Sequence, residues 1–268
     1  MIGEPGAWDT HAHVIGDIDR YPLWSGHTYE PPRASLHDYL ALLDRCGVQY
    51  GVLVQPSVYG FDNSCMLDAL DAAPTRLFGI AVPAPDTTAR DLEAMHRGGV
   101  RGIRCNLIQP GGLSPDVIAQ WQAVLRELGW HVELQLQVDR VSDLRTFTTR
   151  FAVPVVIDHM GRPADAAIDA ASELIAMVRA GECFVKLSAP YRMSTQRAPW
   201  ADMTPLARAL IDAAAGQCVW ASDWPHTQFD SVGEGDLLDA LRAWCPDDHT
   251  RNVIMRDTPL RLFGAAPA

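Results

Sequence analysis

The stretch Ala7-Trp8-Asp9-Thr10-His11-Ala12-His13 has the pattern of a buried strand that ends in a His-x-His pair. Residues two apart in a strand point to the same face, so the two imidazoles are aimed at one spot. Two other apolar runs also stop at titratable groups, namely Val155-Val156-Ile157-Asp158-His159 and Val219-Trp220-Ala221-Ser222-Asp223. A His-x-His pair alone can equally be two surface histidines on an edge strand. Three strands that end in this way indicate a shared functional edge.

Strand-like apolar runs alternate with amphipathic helical stretches along the chain, which predicts repeated βα units and a parallel sheet. Eight strands are predicted, near residues 7–13, 50–55, 77–82, 100–107, 131–137, 153–159, 183–188 and 218–223. Ser35 and Asp38 predict a capping box for a helix that ends at Gly47. Eight such units in 268 residues, with no composition break, predict a single-domain (β/α)₈ barrel over residues 1–268. A doubly wound open sheet is the alternative.

A barrel requires its functional groups to lie at the C-terminal ends of the strands. Many polar residues of this chain fall at or just beyond a predicted strand end. They are His11, His13, Ser57, Arg104, Gln135, His159, Arg192 and Asp223. This agreement favours the barrel and predicts a polar pocket at that face.

The amino-acid composition argues against some classes of binding partner. There are 22 basic and 33 acidic residues, and the net charge of −11 argues against nucleic acid and anionic membranes as partners. Six scattered cysteines without a C-x-x-C pair are typical of reduced, buried thiols. The first residues form no signal peptide and no segment has the composition of a membrane span, so we expect a cytoplasmic protein. The oligomeric state stays open.

An ordered set of motifs covers nearly the whole chain. It begins with Asp9-Thr10-His11-Ala12-His13-Val14 and continues through residues 21–29, 54–57 with 60–63, 99–104, 156–163, 222–226 and 258–264. Together these motifs resemble the amidohydrolase superfamily, and within it the branch of 2-pyrone-4,6-dicarboxylate lactonase and related lactone hydrolases. The resemblance implies a hydrolase that opens a lactone in the catabolism of aromatic compounds or acid sugars.

The resemblance also implies roles for four residues. Asp223 would take a proton from water, while His11, His13 and His159 would polarise the lactone carbonyl. A carboxylate among imidazoles is a sensible acid/base arrangement, because each group influences the charge state of the others. The structural alternatives are a helix N-cap for Asp223 and a satisfied core histidine for His159.

Three arginines suggest an anionic substrate. Arg104 lies at the end of strand four, Arg162 and Arg192 follow strands six and seven, and a guanidinium suits bidentate binding of a carboxylate. Structural ion pairs with acidic neighbours, Asp158 or Asp165, are the alternative. Further predicted substrate contacts are Ser57, Tyr29, Tyr59, Gln135 and His226.

The chain departs from the pyrone-dicarboxylate enzymes at two positions. Pro110 stands where they carry a second basic residue, and Gln135 stands where they carry a tyrosine. These departures favour a small lactone with one carboxylate or a differently arranged anionic group. Gln135 is also a poor metal ligand, so no metal cofactor is expected. If a metal is present, a zinc or manganese ion held by His11, His13, His159 and Asp223 is the alternative.

Three other functions compete with lactone hydrolysis. Relatives in the superfamily use a similar set of residues with a metal to decarboxylate aromatic or unsaturated acids, and release of carbon dioxide would identify that reaction. A base beside a polarised carbonyl can also abstract an α-proton, which would make the protein a lactone isomerase. A ligand-binding protein without turnover is the non-enzymatic alternative.

Overall fold

Eight parallel strands form the centre of the protein. The structure, a computed structural model, describes residues 6–164, 168–229, 231–233, 235–245 and 247–264. The strands are hydrogen-bonded in chain order. They are β1 (Trp8–Ala12), β2 (Tyr50–Val54), β3 (Leu77–Ala81), β4 (Val100–Asn106), β5 (His131–Gln135), β6 (Val155–Ile157), β7 (Phe184–Leu187) and β8 (Cys218–Trp220).

The first strand also meets the last. The Thr10 hydroxyl donates to the Trp220 carbonyl (2.8 Å), and Ala12 forms a parallel bridge with Trp224. These contacts nearly close the sheet into a (β/α)₈ barrel, so the barrel prediction is confirmed and the open-sheet alternative is wrong.

Helices follow the strands. They are α1 (Leu36–Cys46), α2 (Ser64–Ala72), α3 (Ala89–Arg97), α4 (Pro115–Gln120), α5 (Gln122–Glu127), α6 (Leu144–Thr148), α7 (Ser172–Ala180), α8 (Thr204–Ala214), α9 (Asp236–Trp244), α10 (Asp248–Asn252) and α11 (Thr258–Phe263). The predicted capping box of Ser35 and Asp38 opens α1, and Gly47 ends it at φ 67°. Among the helices of the described ranges, none has the length and apolar character needed to cross a bilayer.

Apolar side chains fill the N-terminal end of the barrel. The Trp8 ring lies 4.8 Å from Phe78 and 5.6 Å from Phe263, centroid to centroid, so α11 plugs this end. Along β5, His131 contacts Phe263 with centroids 5.1 Å apart, and Gln135 lies at the opposite end in a polar pocket. Polar groups are therefore concentrated towards the C-terminal face.

Candidate active site

The His-x-His pair converges as predicted. The Nε2 atoms of His11 and His13 lie 3.3 Å apart. His13 donates from Nδ1 to the Val54 carbonyl (2.7 Å), because a carbonyl can only accept. A neutral His13 therefore has no proton on Nε2, the nitrogen that faces His11.

Asp223 joins the histidines from the loop after β8. Its Oδ1 lies 3.6 Å from His11 Nε2, 3.8 Å from His13 Nε2 and 3.9 Å from His159 Nε2. The Nδ1 atom of His159 contacts the Ser188 hydroxyl (2.8 Å). All four predicted residues thus meet at the C-terminal face, on β1 or in the loops after β1, β6 and β8.

The second oxygen of Asp223 is held by two donors. Oδ2 accepts hydrogen bonds from the Tyr191 hydroxyl (2.6 Å) and from Arg192 Nε (3.0 Å). Burial favours the neutral acid, but the Arg192 charge and the histidines outweigh it and hold the pKa of Asp223 well below its usual value. The carboxylate is therefore ionised at neutral pH, with Oδ1 left for chemistry.

The histidines are neutral under the same conditions. Burial lowers the pKa of His13 to about 4 and that of His159 to about 3, and it holds the pKa of His11 well below its usual value. The site at neutral pH is thus one carboxylate among three uncharged imidazoles.

A buried ionic network that the sequence analysis missed lies beneath this cluster. Lys186 of β7 places Nζ 3.0 Å from His11 Nδ1, 2.6 Å from Glu133 Oε1 and 3.4 Å from Asp158 Oδ1. Asp158 also accepts hydrogen bonds from Arg104 at 3.1 and 3.2 Å. Since an ammonium can only donate, the Lys186 contact favours a His11 whose proton is on Nε2.

The three predicted arginines have different surroundings. Arg104 is paired with Asp158, and Arg192 is paired with Asp223, so both take part in ion pairs. Within the described ranges, the guanidinium of the half-buried Arg162 has no hydrogen-bond or ion-pair partner, and only its backbone amide donates, to the His159 carbonyl (3.0 Å). Asp165, the other predicted partner, lies outside the described residues.

A small polar pocket with a cavity volume of about 40 Å³ opens over the cluster. Tyr29, Ser57 and Gln135, three of the residues expected to contact substrate, line it. The other lining residues are His13, Pro56, Arg104, Asn106, Gln109, His159, Arg162, Arg192, Asp223, Thr227 and Gln228. Gln135 Oε1 is buried and has no hydrogen-bond partner in the part of the chain that is described, so it is free for a ligand.

Two predicted substrate contacts are not in the pocket lining. The Tyr59 hydroxyl is buried and accepts a hydrogen bond from the Gly16 amide (3.1 Å). His226 packs edge-on against Tyr191, with ring centroids 5.7 Å apart. Both residues contact neighbouring loops, and their contact with substrate stays a prediction.

Three side chains of the cluster lie close enough together to hold a metal ion. One ligand atom each from His11, His13 and Asp223 lies within 4.8 Å of the others, which is close enough to hold a cation. His13 fits this role because its Nδ1 bond leaves the Nε2 lone pair free. His11 fits only if its Nδ1 proton is directed to Asp158, at 3.5 Å, despite the adjacent Lys186 ammonium.

Comparison with known proteins identifies the family. The Amidohydrolase family model matches residues 8–265, and the chain belongs to this family. It is 35% identical to the 4-sulfomuconolactone hydrolase of Rhizobium radiobacter over 269 residues, which cover 97% of this chain and 90% of that protein. The family resemblance found in the motifs is thus confirmed.

Two solved structures share the fold. One is a probable 2-pyrone-4,6-dicarboxylic acid hydrolase from Acinetobacter baumannii with citric acid bound, at 28% identity and a TM-score of 0.84, covering 97% of this chain and 99% of that one. The other is a Burkholderia multivorans amidohydrolase with bound zinc, at 17% identity and a TM-score of 0.70, again covering 97% and 99%. At that identity the zinc protein shows the fold alone.

Proposed function

We propose that this protein hydrolyses an anionic lactone and that Asp223 is the general base. The observation that carries the proposal is the position of Asp223 Oδ1, which faces three neutral imidazoles in a pocket that also contains Arg162. The named activities of the Rhizobium and Acinetobacter proteins support it, since both names describe hydrolases of small anionic rings.

The chemistry requires one water and one base. Asp223 Oδ1 accepts a proton as water attacks the lactone carbonyl carbon, and Arg192 and Tyr191 keep the carboxylate in place through Oδ2. The ring C–O bond then breaks, and the proton on Asp223 passes to the departing oxygen. The products are a carboxylic acid and a hydroxyl group on one open chain, and at neutral pH the acid releases its proton to solvent and becomes a carboxylate.

The three histidines have different roles in this reaction. A neutral His13 cannot donate from Nε2, so we propose that it does not polarise the carbonyl. His159 is the better donor, because it lines the pocket and carries a proton on Nε2 when Ser188 donates to Nδ1. His11 carries its proton on Nε2 through Lys186 and directs it towards His13 and Asp223.

We further propose that no resident metal is needed. A divalent cation held by His11, His13 and Asp223 would act as a Lewis acid on the lactone carbonyl. Two features of the chain oppose it: the Lys186 ammonium beside His11 Nδ1, and the Arg192 guanidinium that already neutralises Asp223. A cation at this site would therefore bind next to a carboxylate, Asp223, whose charge Arg192 already compensates.

The charges that line the pocket also favour one class of substrate. Arg162 offers a guanidinium for one anionic group, while Gln109 and Pro110 in the loop after β4 and Gln135 at the end of β5 supply no charge. We propose a lactone whose carboxylate or sulfonate binds at Arg162, with a hydroxyl group of the substrate donating to the unpaired Gln135 Oε1.

A substrate panel tests this function. The purified protein is offered 4-sulfomuconolactone, 2-pyrone-4,6-dicarboxylate and a neutral lactone of similar size, and proton release is followed in weak buffer. We expect turnover of an anionic lactone and slow or no turnover of the neutral one. Folded protein that releases no protons from any anionic lactone contradicts the proposal, and carbon dioxide or an isomeric lactone as product identifies one of the alternatives.

A further inference from the structure

The candidate base and the His-x-His pair belong to the two ends of the sheet. His11 lies on β1 and Asp223 lies after β8, where the barrel closes without a regular ladder. Two backbone hydrogen bonds cross this seam near the site, from the Asp223 amide to the His11 carbonyl (2.9 Å) and from the His13 amide to the Trp224 carbonyl (2.8 Å). The relative position of base and histidines therefore depends on local contacts at the seam.

Asp9 crosses the same seam with its side chain. Its Oδ1 accepts a hydrogen bond from the Ser222 amide (2.8 Å), and its Oδ2 accepts hydrogen bonds from the Ser222 hydroxyl (2.5 Å) and the Tyr39 hydroxyl (3.1 Å). Ser222 Oγ accepts in turn from the Trp224 amide (3.1 Å). The residues on both sides of Asp223 are thus tied to one buried carboxylate.

Asp223 needs this support because its backbone is strained. Its φ of 54° lies in the left-handed region, which is unfavourable for a residue with a Cβ atom. Such conformations persist when the surrounding structure fixes them, and they are common at functional sites. The hydrogen bonds of Ser222 supply that constraint immediately before and after Asp223.

We propose that Asp9 and Ser222 are positioning residues, whose hydrogen bonds hold Asp223 in the left-handed conformation that aims Oδ1 at the histidines. This inference rests on the proposed role of Asp223 as base. Neither residue contacts the reacting atoms, and Asp9 lies on the outer side of the barrel wall, where it meets Tyr39 of α1.

The chain offers a matched pair of variants. Ser222→Ala removes one hydrogen bond to Asp9 and the acceptor for the Trp224 amide. Tyr39→Phe removes another hydrogen bond to the same carboxylate, but it keeps the ring that stacks on Trp224 at 5.4 Å. Both changes remove a hydroxyl that donates to Asp9 Oδ2, so a purely structural role predicts similar effects from both.

The experiment compares melting temperature, kcat and KM for both variants with an anionic lactone. We expect comparable losses of melting temperature, a kcat that falls about 10- to 100-fold for Ser222→Ala alone, and KM values within about twofold of wild type. A Ser222→Ala kcat within about twofold of wild type, or an equal fall in Tyr39→Phe, overturns the inference.

Crystal structures of both variants give a readout that does not depend on turnover. We expect Asp223 to leave the left-handed region in Ser222→Ala and to keep it in Tyr39→Phe. An unchanged Asp223 backbone in Ser222→Ala overturns the inference even if the wild type is an active lactonase. Wild-type protein without lactonase activity refutes the proposed function alone, because the backbone comparison still decides the positioning role.

Discussion

Replacing Arg162 by glutamine tests how the pocket recognises its substrate. A hydrogen bond to a charged group contributes about 1.5–3 kcal/mol, so kcat/KM for an anionic lactone should fall about 10- to 150-fold. A neutral lactone has no anionic group that binds Arg162, so its kcat/KM should change less than about threefold. No carboxylate in the described residues pairs with Arg162, so the stability of the fold should hardly change.

Arg104→Gln is the matched control, because this arginine lines the same pocket but has a structural partner. Arg104 is 3% exposed, and its partner Asp158 is fully buried. Removing one member of a buried ion pair lowers the free energy of unfolding by about 3–5 kcal/mol. Asp158 keeps a second cation, Lys186 at 3.4 Å, so we expect a loss near the lower value. This variant should therefore unfold at a clearly lower temperature than Arg162→Gln.

The assay is steady-state hydrolysis of 4-sulfomuconolactone and of a neutral lactone, beside thermal unfolding of each variant. Equal losses on both substrates for Arg162→Gln would refute the anion-binding role. A loss of melting temperature as large as that of Arg104→Gln would show instead that Arg162 is a structural residue with a partner outside the described ranges.

Three further predictions concern the reaction itself. Asp223→Asn keeps the shape of the side chain but cannot take a proton, so kcat should fall about 10²- to 10⁴-fold with KM near wild type, and a loss below about tenfold removes the residue from the role of base. Activity should survive exhaustive dialysis against a chelator; loss that zinc or manganese restores would show a required cation. The lowered pKa values keep Asp223 charged and His13 and His159 neutral on acidification, so kcat/KM should stay level from pH 8 to about 6.5. Asp9, whose pKa burial raises to about 6, is a nearby group that titrates below that range, and an acid limb centred near pH 7 contradicts this assignment.

Strand periodicity and strand-end chemistry predicted most of the fold and the centre of the site. All eight strands form within the predicted segments, and the four residues from three separate strand ends meet at one face. This success follows from the barrel itself, because parallel strands in a closed sheet must deliver their C-terminal ends to the same rim. Strands β6 and β8 are shorter than predicted, since His159 and Asp223 belong to loops with left-handed backbone.

The buried network could be recognised only in part from the sequence. His131, Glu133 and Gln135 alternate with apolar residues in β5, a period that marks one polar face inside the barrel. Lys186 is the only charged residue of β7, and a charge there requires a buried partner. The sequence holds these signals, but it does not show that Lys186 lies between Glu133 and Asp158.

The conformation of the loops could not be predicted from the sequence pattern. Tyr59 and His226 carry polar groups close in sequence to the motifs, yet their contacts with Gly16 and Tyr191 depend on how the loops fold back. Asp9 likewise reads as part of the His-x-His strand, and its hydrogen bonds to Ser222 appear only once the barrel closes.

Mass spectrometry of the product formed in water enriched in the heavy oxygen isotope tests the central claim most directly. Hydrolysis by attack of water on the lactone carbonyl predicts an open-chain product that has gained one water, with one heavy oxygen in the new carboxylate. A product of unchanged mass, or loss of carbon dioxide from an anionic lactone, would contradict lactone hydrolysis and favour the isomerase or the decarboxylase.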